Sequence, residues 1–318
     1  MSEKTMQAVI VRSFGGTDVL ELAALPIPEP GRGQVRIAVE AAAVNPADIA
    51  TRAGFLSDAG LMVPGEYTAI GWDAAGTVDA VGDGVVGFAA GDRVIGLRDR
   101  LTAPVGAQAE FVALDADAVA HAPRTASAAE ASTLPLNGLT AVQSLDLLAL
   151  APGEWLLVTG AAGAVGGFAV ELAVLRGLRV VAVARPADEE LVRGFGAELF
   201  VPATDELGAA IRAVVPGGVH GALDAAVIGV AALDAVRGGG SFVAVVAGGA
   251  PAFPLRGTRI DQVWIRADGA RLGELAALVD AGRLTLRVAG TYPLAEVAAA
   301  QEQLAAGGLR GRLVLEVG

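Results

Sequence analysis

One stretch near the middle of the chain, Glu154-Trp155-Leu156-Leu157-Val158-Thr159-Gly160-Ala161-Ala162-Gly163-Ala164-Val165-Gly166-Gly167, constrains the fold more than any other. Trp155 to Thr159 is a short apolar run without polar alternation, the pattern of a parallel strand covered on both faces, and Phe168, Val170, Leu172 and Ala173 continue as a helix. The turn between them follows a G-x-G-x-x-G fingerprint with Ala161 in place of the first glycine. Gly163 would let the backbone approach a pyrophosphate, and Gly166 would let the helix pack close to the strand, so that phosphates rest on the helix N-terminus. In a chain with 43 glycines the pattern alone is weak, and a structural glycine turn is the alternative. The preceding strand, the following helix and a second strand after it give the pattern its weight.

The surrounding pattern divides in two. Up to about residue 120, short strands at Gln7 to Arg12, Gln34 to Ala42, Gly76 to Val81, Arg93 to Leu97 and Ala109 to Ala113 are punctuated by Gly, Pro and Asp, as in a compact β-rich domain. From about 125, helix and strand alternate: helices at Ala128 to Leu134 and Leu139 to Leu148, then strands near 155–159, 179–184, 197–201, 219–224 and 240–246. This predicts an α/β chain with a doubly wound parallel sheet and a ligand crevice at the carboxyl ends of its strands. A helix over Ala270 to Ala281, an extended run over Leu284 to Val288, a helix from Glu296 to Ala306 and a closing strand from Arg312 to Val317 follow, and the tail is expected to return to the first domain.

Composition narrows the partners. A net charge of −12 and a single lysine, Lys4, argue against nucleic acid. Met1 to Met6 has no apolar leader, and no uncharged apolar run is long enough to span a bilayer, so a cytoplasmic, membrane-free protein is expected. With no cysteine, disulfides, thiol catalysis and cysteine-ligated zinc are excluded, and His121 and His220 stand far apart in sequence.

The order of motifs resembles the medium-chain dehydrogenase/reductase superfamily, and within it the zinc-free quinone oxidoreductase (zeta-crystallin-like) branch, over nearly the whole chain. The matching segments are Ala43-Val44-Asn45-Pro46-Ala47-Asp48 with Arg52-Ala53-Gly54, Gly71-Trp72-Asp73-Ala74-Ala75-Gly76, Gly91-Asp92-Arg93-Val94, Gly106-Ala107-Gln108-Ala109-Glu110-Phe111, Leu134 to Ala141, Tyr292-Pro293-Leu294 and Gly311 to Leu315. The resemblance implies a GroES-like catalytic domain over 1–124, completed by 268–318, and a Rossmann NADP-binding domain over 125–267. In zinc enzymes of the family the first metal cysteine falls where this chain has Asn45, so no metal is expected. For the nicotinamide end the resemblance points to Asn45, Thr140 and the backbone around Val245 to Ala247, beside Gly160, Ala161, Ala162, Gly163, Ala164 and Val165 at the pyrophosphate. Asn-Pro is also an ordinary turn signal, Thr140 could simply pack in a helix, and Asp48 with Arg52 could be a structural pair.

The second strand of the unit ends Val183-Ala184-Arg185-Pro186, with a cation where NAD enzymes carry an acid for the ribose 2′-hydroxyl, which favours NADPH. Asp188, Glu189 and Glu190 follow closely and could pair with Arg185. The family's tyrosine near the nicotinamide is Ala50 here, leaving Tyr67 as a candidate donor or a packing residue. The expected reaction is metal-free hydride transfer to a quinone or α,β-unsaturated carbonyl, with Asn45 and Tyr67 polarising the oxygen. Alternatives are a carbonyl reductase or alcohol dehydrogenase, a non-catalytic NADPH-binding redox sensor or crystallin-like protein, and a cyclase. A homodimer is expected, joined through an apolar edge formed by Phe242 to Val246 and Val263-Trp264-Ile265.

Overall fold

The computed structural model describes residues 4–318, so Met1, Ser2 and Glu3 of the amino-terminal stretch read above lie outside the described residues. The chain forms two units, one running to Leu136 and resuming over Arg266–Gly318, the other Asn137–Ile265. In chain order the first contains β1 (Thr5–Val11), β2 (Leu20–Pro26), β3 (Gln34–Val44), α1 (Pro46–Arg52), α2 (Phe55–Asp58), β4 (Thr68–Ala69), β5 (Asp73–Val81), β6 (Arg93–Leu97), β7 (Phe111–Asp115), β8 (Val119–His121) and α3 (Ala128–Ser132). Helix α4 (Pro135–Leu148) leads into the second unit, which contains β9 (Trp155–Thr159), α5 (Ala164–Leu175), β10 (Arg179–Ala184), α6 (Glu189–Gly194), β11 (Leu199–Pro202), α7 (Leu207–Val214), β12 (Val219–Asp224), α8 (Val230–Asp234), β13 (Val236–Ala244) and β14 (Arg259–Gln262). The chain then returns to the first unit with α9 (Gly269–Asp280), β15 (Val288–Pro293), α10 (Val297–Ala306) and β16 (Arg312–Glu316).

In the first unit a three-stranded sheet, β2-β1-β4, accompanies a larger one ordered β15-β16-β3-β5-β6-β8, with β7 also on β3. Strand β3 shows why its sequence folds this way. Val35, Ile37 and Val39 point into the core, Gln34, Arg36 and Ala38 stand further out, and from Ala41 to Val44 both faces are buried. The closing strand β16 runs antiparallel on that buried end, with Leu313 opposite Val44, so the tail does return to the first unit's sheet.

The second unit is a six-stranded sheet, all parallel, ordered β11-β10-β9-β12-β13-β14. This is the strand order of a doubly wound dinucleotide fold, in which the crossovers diverge on either side of the first strand. Leu156, Leu157 and Val158 of β9 are fully buried, as the unalternating run requires. The carboxyl ends of β9, β10, β12 and β13 therefore bring Gly160, Arg185, Ala225 and Val245 to one edge of the sheet.

Several expectations shift. Helix α3 packs on β3 and β5, so the first boundary falls after Leu136 rather than after 124. On the return, the Ala267 N–H donates to Asp99 at 2.7 Å, drawing residues from Arg266 into the first unit. The strand expected at Leu284 to Val288 begins at Val288, where pairing with Arg312 of β16 starts. Strand β2 escapes a pattern search because it has no β-branched residue and only Ala23 and Leu25 are buried. The expected dimer edge is also corrected: β13, carrying Phe242 and Val243, is paired on both sides, and the outer strand beyond it is the polar Arg-Ile-Asp-Gln segment of β14.

Close packing of α5 on β9 makes a specific prediction. A Cβ on Gly166 would lie 2.2 Å from the Gly160 carbonyl oxygen, whereas one on Gly194 of α6 would meet nothing within 4 Å. Gly166→Ala should lower stability by about 1–3 kcal/mol despite its better helix propensity. Gly194→Ala should raise it by up to about 1 kcal/mol, both being read from denaturation midpoints.

Candidate functional site

The glycine turn of the second unit has the geometry its sequence requires. Gly160 takes φ +60°, a left-handed conformation in which a side chain would be strained. Its carbonyl accepts the Gly163 N–H at 2.9 Å, and the Ala161 N–H donates to Val183 of β10 at 3.1 Å, which ties the turn across two strands. Gly163 is the N-cap of α5 and brings no side chain over the helix start. Ala161, Ala162, Ala164 and Val165 are buried small or branched groups that leave the backbone as the turn's only polar surface. A glycine-lined turn that opens a twelve-residue helix fits a pyrophosphate.

The adjoining strand ends complete this edge. Arg185, directly after β10, donates from Nε to Asp188 Oδ2 at 2.9 Å; its side chain is 53% exposed while that of Asp188 is 1% exposed. The acid that follows Arg185 in sequence does pair with it. Val245 and Ala247 lie half-buried in the loop after β13, and the Val245 N–H donates to the Asp224 carbonyl at 3.3 Å. Thr140 is buried on α4, one turn before the buried Ser144.

In the first unit the sequence-predicted residues fall into a buried polar network. Asn45 is the N-cap of α1, and with Asp48 it forms a capping box in which the Asn45 N–H donates to Asp48 Oδ2 at 2.7 Å. Its amide Nδ2 donates to Asp73 Oδ2 at 2.7 Å, and Asp73 Oδ1 accepts the Leu136 N–H at 2.6 Å. Asn45, Asp48 and Asp73 are all 0% exposed. The amide nitrogen read as a donor for a substrate oxygen is therefore directed at Asp73, whose buried carboxyl needs hydrogen bonds. Asp73 was missed from sequence as a partner of Asn45, although Asn-x-x-Asp ahead of a helix is itself a capping signal. Arg52, four residues beyond Asp48, is buried without pairing with it, which removes the structural ion pair considered for these two.

Tyr67 packs its ring on the cluster of Met6, Ala8, Val105 and Ala109 beside the three-stranded sheet. His121 ends β8 in the first unit with Phe88 against its ring, and His220 lies on β12 in the second, accepting the Trp155 N–H at Nδ1 over 3.0 Å. Among the described residues no group of three His, Asp or Glu side chains converges as a metal site.

Burial dominates the charge states of the network. It pushes the Asp48 carboxyl up to about 8, reinforced by Asp73 and opposed by the Asn45 N–H, Arg312 and Arg98. It pushes Asp73 up to about 7 against the bonds from Asn45 and Leu136 and the charge of Arg312. Burial also brings Arg98 and Arg312 down to about 10. Both carboxyls thus keep in the folded state a proton that the unfolded chain releases near pH 4. Their contribution to stability is complete below that pH and is lost as pH rises through about 7 and 8. Asp48→Asn, which mimics the protonated form, should therefore gain on the wild type in denaturation midpoint between pH 5 and pH 8.5. Parallel profiles would show that Asp48 is ionised throughout.

Comparison with known proteins bears on both units. Residues 31–124 match the alcohol dehydrogenase GroES-like domain and residues 195–315 the family described as zinc-binding dehydrogenase. The chain is 34% identical over 220 residues to the chloroplast envelope quinone oxidoreductase homolog of Arabidopsis thaliana, covering 67% of this chain and 65% of that protein. It is 35% identical over 210 residues to the NADPH-dependent alkenal/one oxidoreductase, chloroplastic, of the same plant, covering 64% and 54%. The chain thus spans less than two-thirds of the length of these curated relatives. The solved structure of an alcohol dehydrogenase superfamily protein from Novosphingobium aromaticivorans superposes with a TM-score of 0.86 at 31% identity, over 99% of this chain and all of that one. With both units matched in order and the full length shared with a solved relative, the chain belongs to the medium-chain dehydrogenase/reductase superfamily.

Proposed function

We propose that this protein is an NADPH-dependent reductase of quinones or α,β-unsaturated carbonyls that works without a metal. The observation that carries the reading is the β9, glycine turn and α5 unit at the strand ends of a parallel sheet with dinucleotide-fold order. The substrate class rests on relatives named for quinones and for alkenals or enones. Metal independence rests on the donor set. One matching family is described as zinc-binding, yet this chain has no cysteine and its two histidines lie on strands of different units.

Gly160 to Val165 would hold the pyrophosphate, Arg185 the 2′-phosphate, and Thr140 with Val245 and Ala247 the nicotinamide half. The Arg185 side chain is half exposed while Asp188 holds its Nε, so the phosphate would meet a cation already oriented by a buried acid. When bound, the reduced nicotinamide supplies the hydride. Asn45 enters as the residue that fixes the start of α1 through Asp48 and Asp73, a positioning role in place of direct donation. Rate enhancement would come chiefly from holding reactants in place and excluding water.

Turnover of NADPH with a panel of quinones and enones tests the whole reading, and activity should survive exhaustive chelation. NADPH bound tightly but consumed by no acceptor would leave a binding or sensor protein instead. NADPH should bind more tightly than NADH, and Arg185→Ala should remove most of that preference in a fluorescence titration; unchanged discrimination would place the 2′-phosphate elsewhere. Tyr67→Phe should keep turnover within about threefold, since a general acid contributes about 10²–10⁴-fold. A loss of that larger size would make Tyr67 the acid. A homodimer would use β14, one of the sheet's two outer strands and the last in its order, and should give twice the 31.7 kDa chain mass by light scattering.

A further inference from the structure

Beyond the glycine turn, the sheet edge holds a second construction that sequence reading did not identify. Thr159 is the last residue of β9, Asp224 the last of β12, and the two are directly opposite in the parallel register. Thr159 Oγ1 donates to Asp224 Oδ1 at 2.6 Å. Asp224 Oδ1 also accepts the Ile228 N–H at 3.1 Å, Oδ2 accepts the Gly229 N–H at 2.7 Å, and Thr159 Oγ1 accepts the Ala226 N–H at 3.0 Å. Two side chains, 0% and 1% exposed, thus bind three of the five backbone amides of the loop 225–229.

The loop they hold is under strain. Val227 has φ +57°, a conformation costly for a β-branched residue, and the residue is 51% exposed, so it is not fixed by burial in the core. Its neighbour Gly229 has φ +66°. The loop also abuts the glycine turn: a Cβ on Gly160 would lie 3.3 Å from the Ala225 carbonyl carbon and from the Ala226 Cβ. Without the clamp, an exposed Val227 would be expected to leave the left-handed region and carry Ala225 and Ala226 with it.

We propose that Thr159 and Asp224 are positioning residues for the dinucleotide: they hold the strained loop 225–229 against the glycine turn, so that a binding-competent crevice exists before cofactor arrives. The inference rests on the dinucleotide reading above. Energetically the clamp acts on the fraction of molecules with the loop in place, and apparent affinity falls in proportion to that fraction. Saturating cofactor restores the ordered loop, so turnover at saturation is spared while the cofactor KM rises.

Thr159→Val removes the hydroxyl at nearly constant volume and keeps a strong strand former, and Thr159→Ser retains the hydroxyl. In the protein without cofactor, amide hydrogen exchange at Ile228 and Gly229 should be at least tenfold faster in Thr159→Val than in wild type or Thr159→Ser. The valine variant should bind NADPH about tenfold or more weakly, with kcat at saturating NADPH within about threefold and the serine variant close to wild type, as for a competent fraction reduced to about a tenth. Asp224→Asn should repeat the pattern, because its amide nitrogen cannot accept the Gly229 N–H. Unchanged exchange at Ile228 and Gly229, or wild-type NADPH affinity in folded Thr159→Val, overturns the proposal while leaving the reductase reading intact. Wild-type protein that binds neither NADPH nor NADH overturns the reductase reading and, with it, the clamp's role in binding.

Discussion

Strand β9 is covered on both faces, and much of the second unit follows from that constraint. A backbone buried on two sides has its hydrogen bonds satisfied by parallel neighbours, so polar chemistry can emerge only where the strands end. At the carboxyl ends the chain must turn sharply, and Gly160 turns through a left-handed conformation while Gly166 lets α5 close over its carbonyl. Helix N–H groups, a cation on Arg185 and the Thr159 and Asp224 pair collect along one edge as a consequence.

The first unit solves a different problem. Its larger sheet, antiparallel except for the β15–β16 pair, buries Asn45, Asp48 and Asp73 beside its apolar core. Buried acids are costly, and here the cost is offset in two ways: each carboxyl accepts a hydrogen bond at a helix start, and burial raises the pKa of both, to about 8 for Asp48 and about 7 for Asp73. Asp73 receives one bond from the α1 cap and one from the first turn of α4, so one side chain on β5 fixes the beginnings of two helices. Removing it would leave the Asn45 amide and the Leu136 N–H without that acceptor, a larger penalty than the loss of one surface contact.

Much of the fold was legible because local patterns and packing agree. The run at Trp155 to Thr159 was placed from its unalternating hydrophobicity, the six residues of β12 from the alternation of helix and strand, and Arg93 to Leu97 from the turn residues around it. Gly160, Gly163 and Gly166 were legible because their spacing is set by the turn they make. Strand β2 was not, because Leu20-Glu21-Leu22-Ala23-Ala24-Leu25 has no strand-specific composition and is extended only through pairing with β1. Tyr67 was readable as an aromatic near a loop but not as part of the cluster around Met6, since that contact joins residues distant in sequence.

The amino-acid sequence by itself determined the alternation of helix and strand, the glycine turn, the cation after the second strand and a donor set without cysteine, since each depends on residues adjacent in the chain. Tertiary structure alone decided which polar groups meet. Asn45 finds Asp73 twenty-eight positions on, and Thr159 finds Asp224 across a strand pair sixty-five positions apart. The physical reason is that a hydrogen bond needs donor and acceptor about 3 Å apart, a distance that pairing register and burial set and that sequence spacing does not.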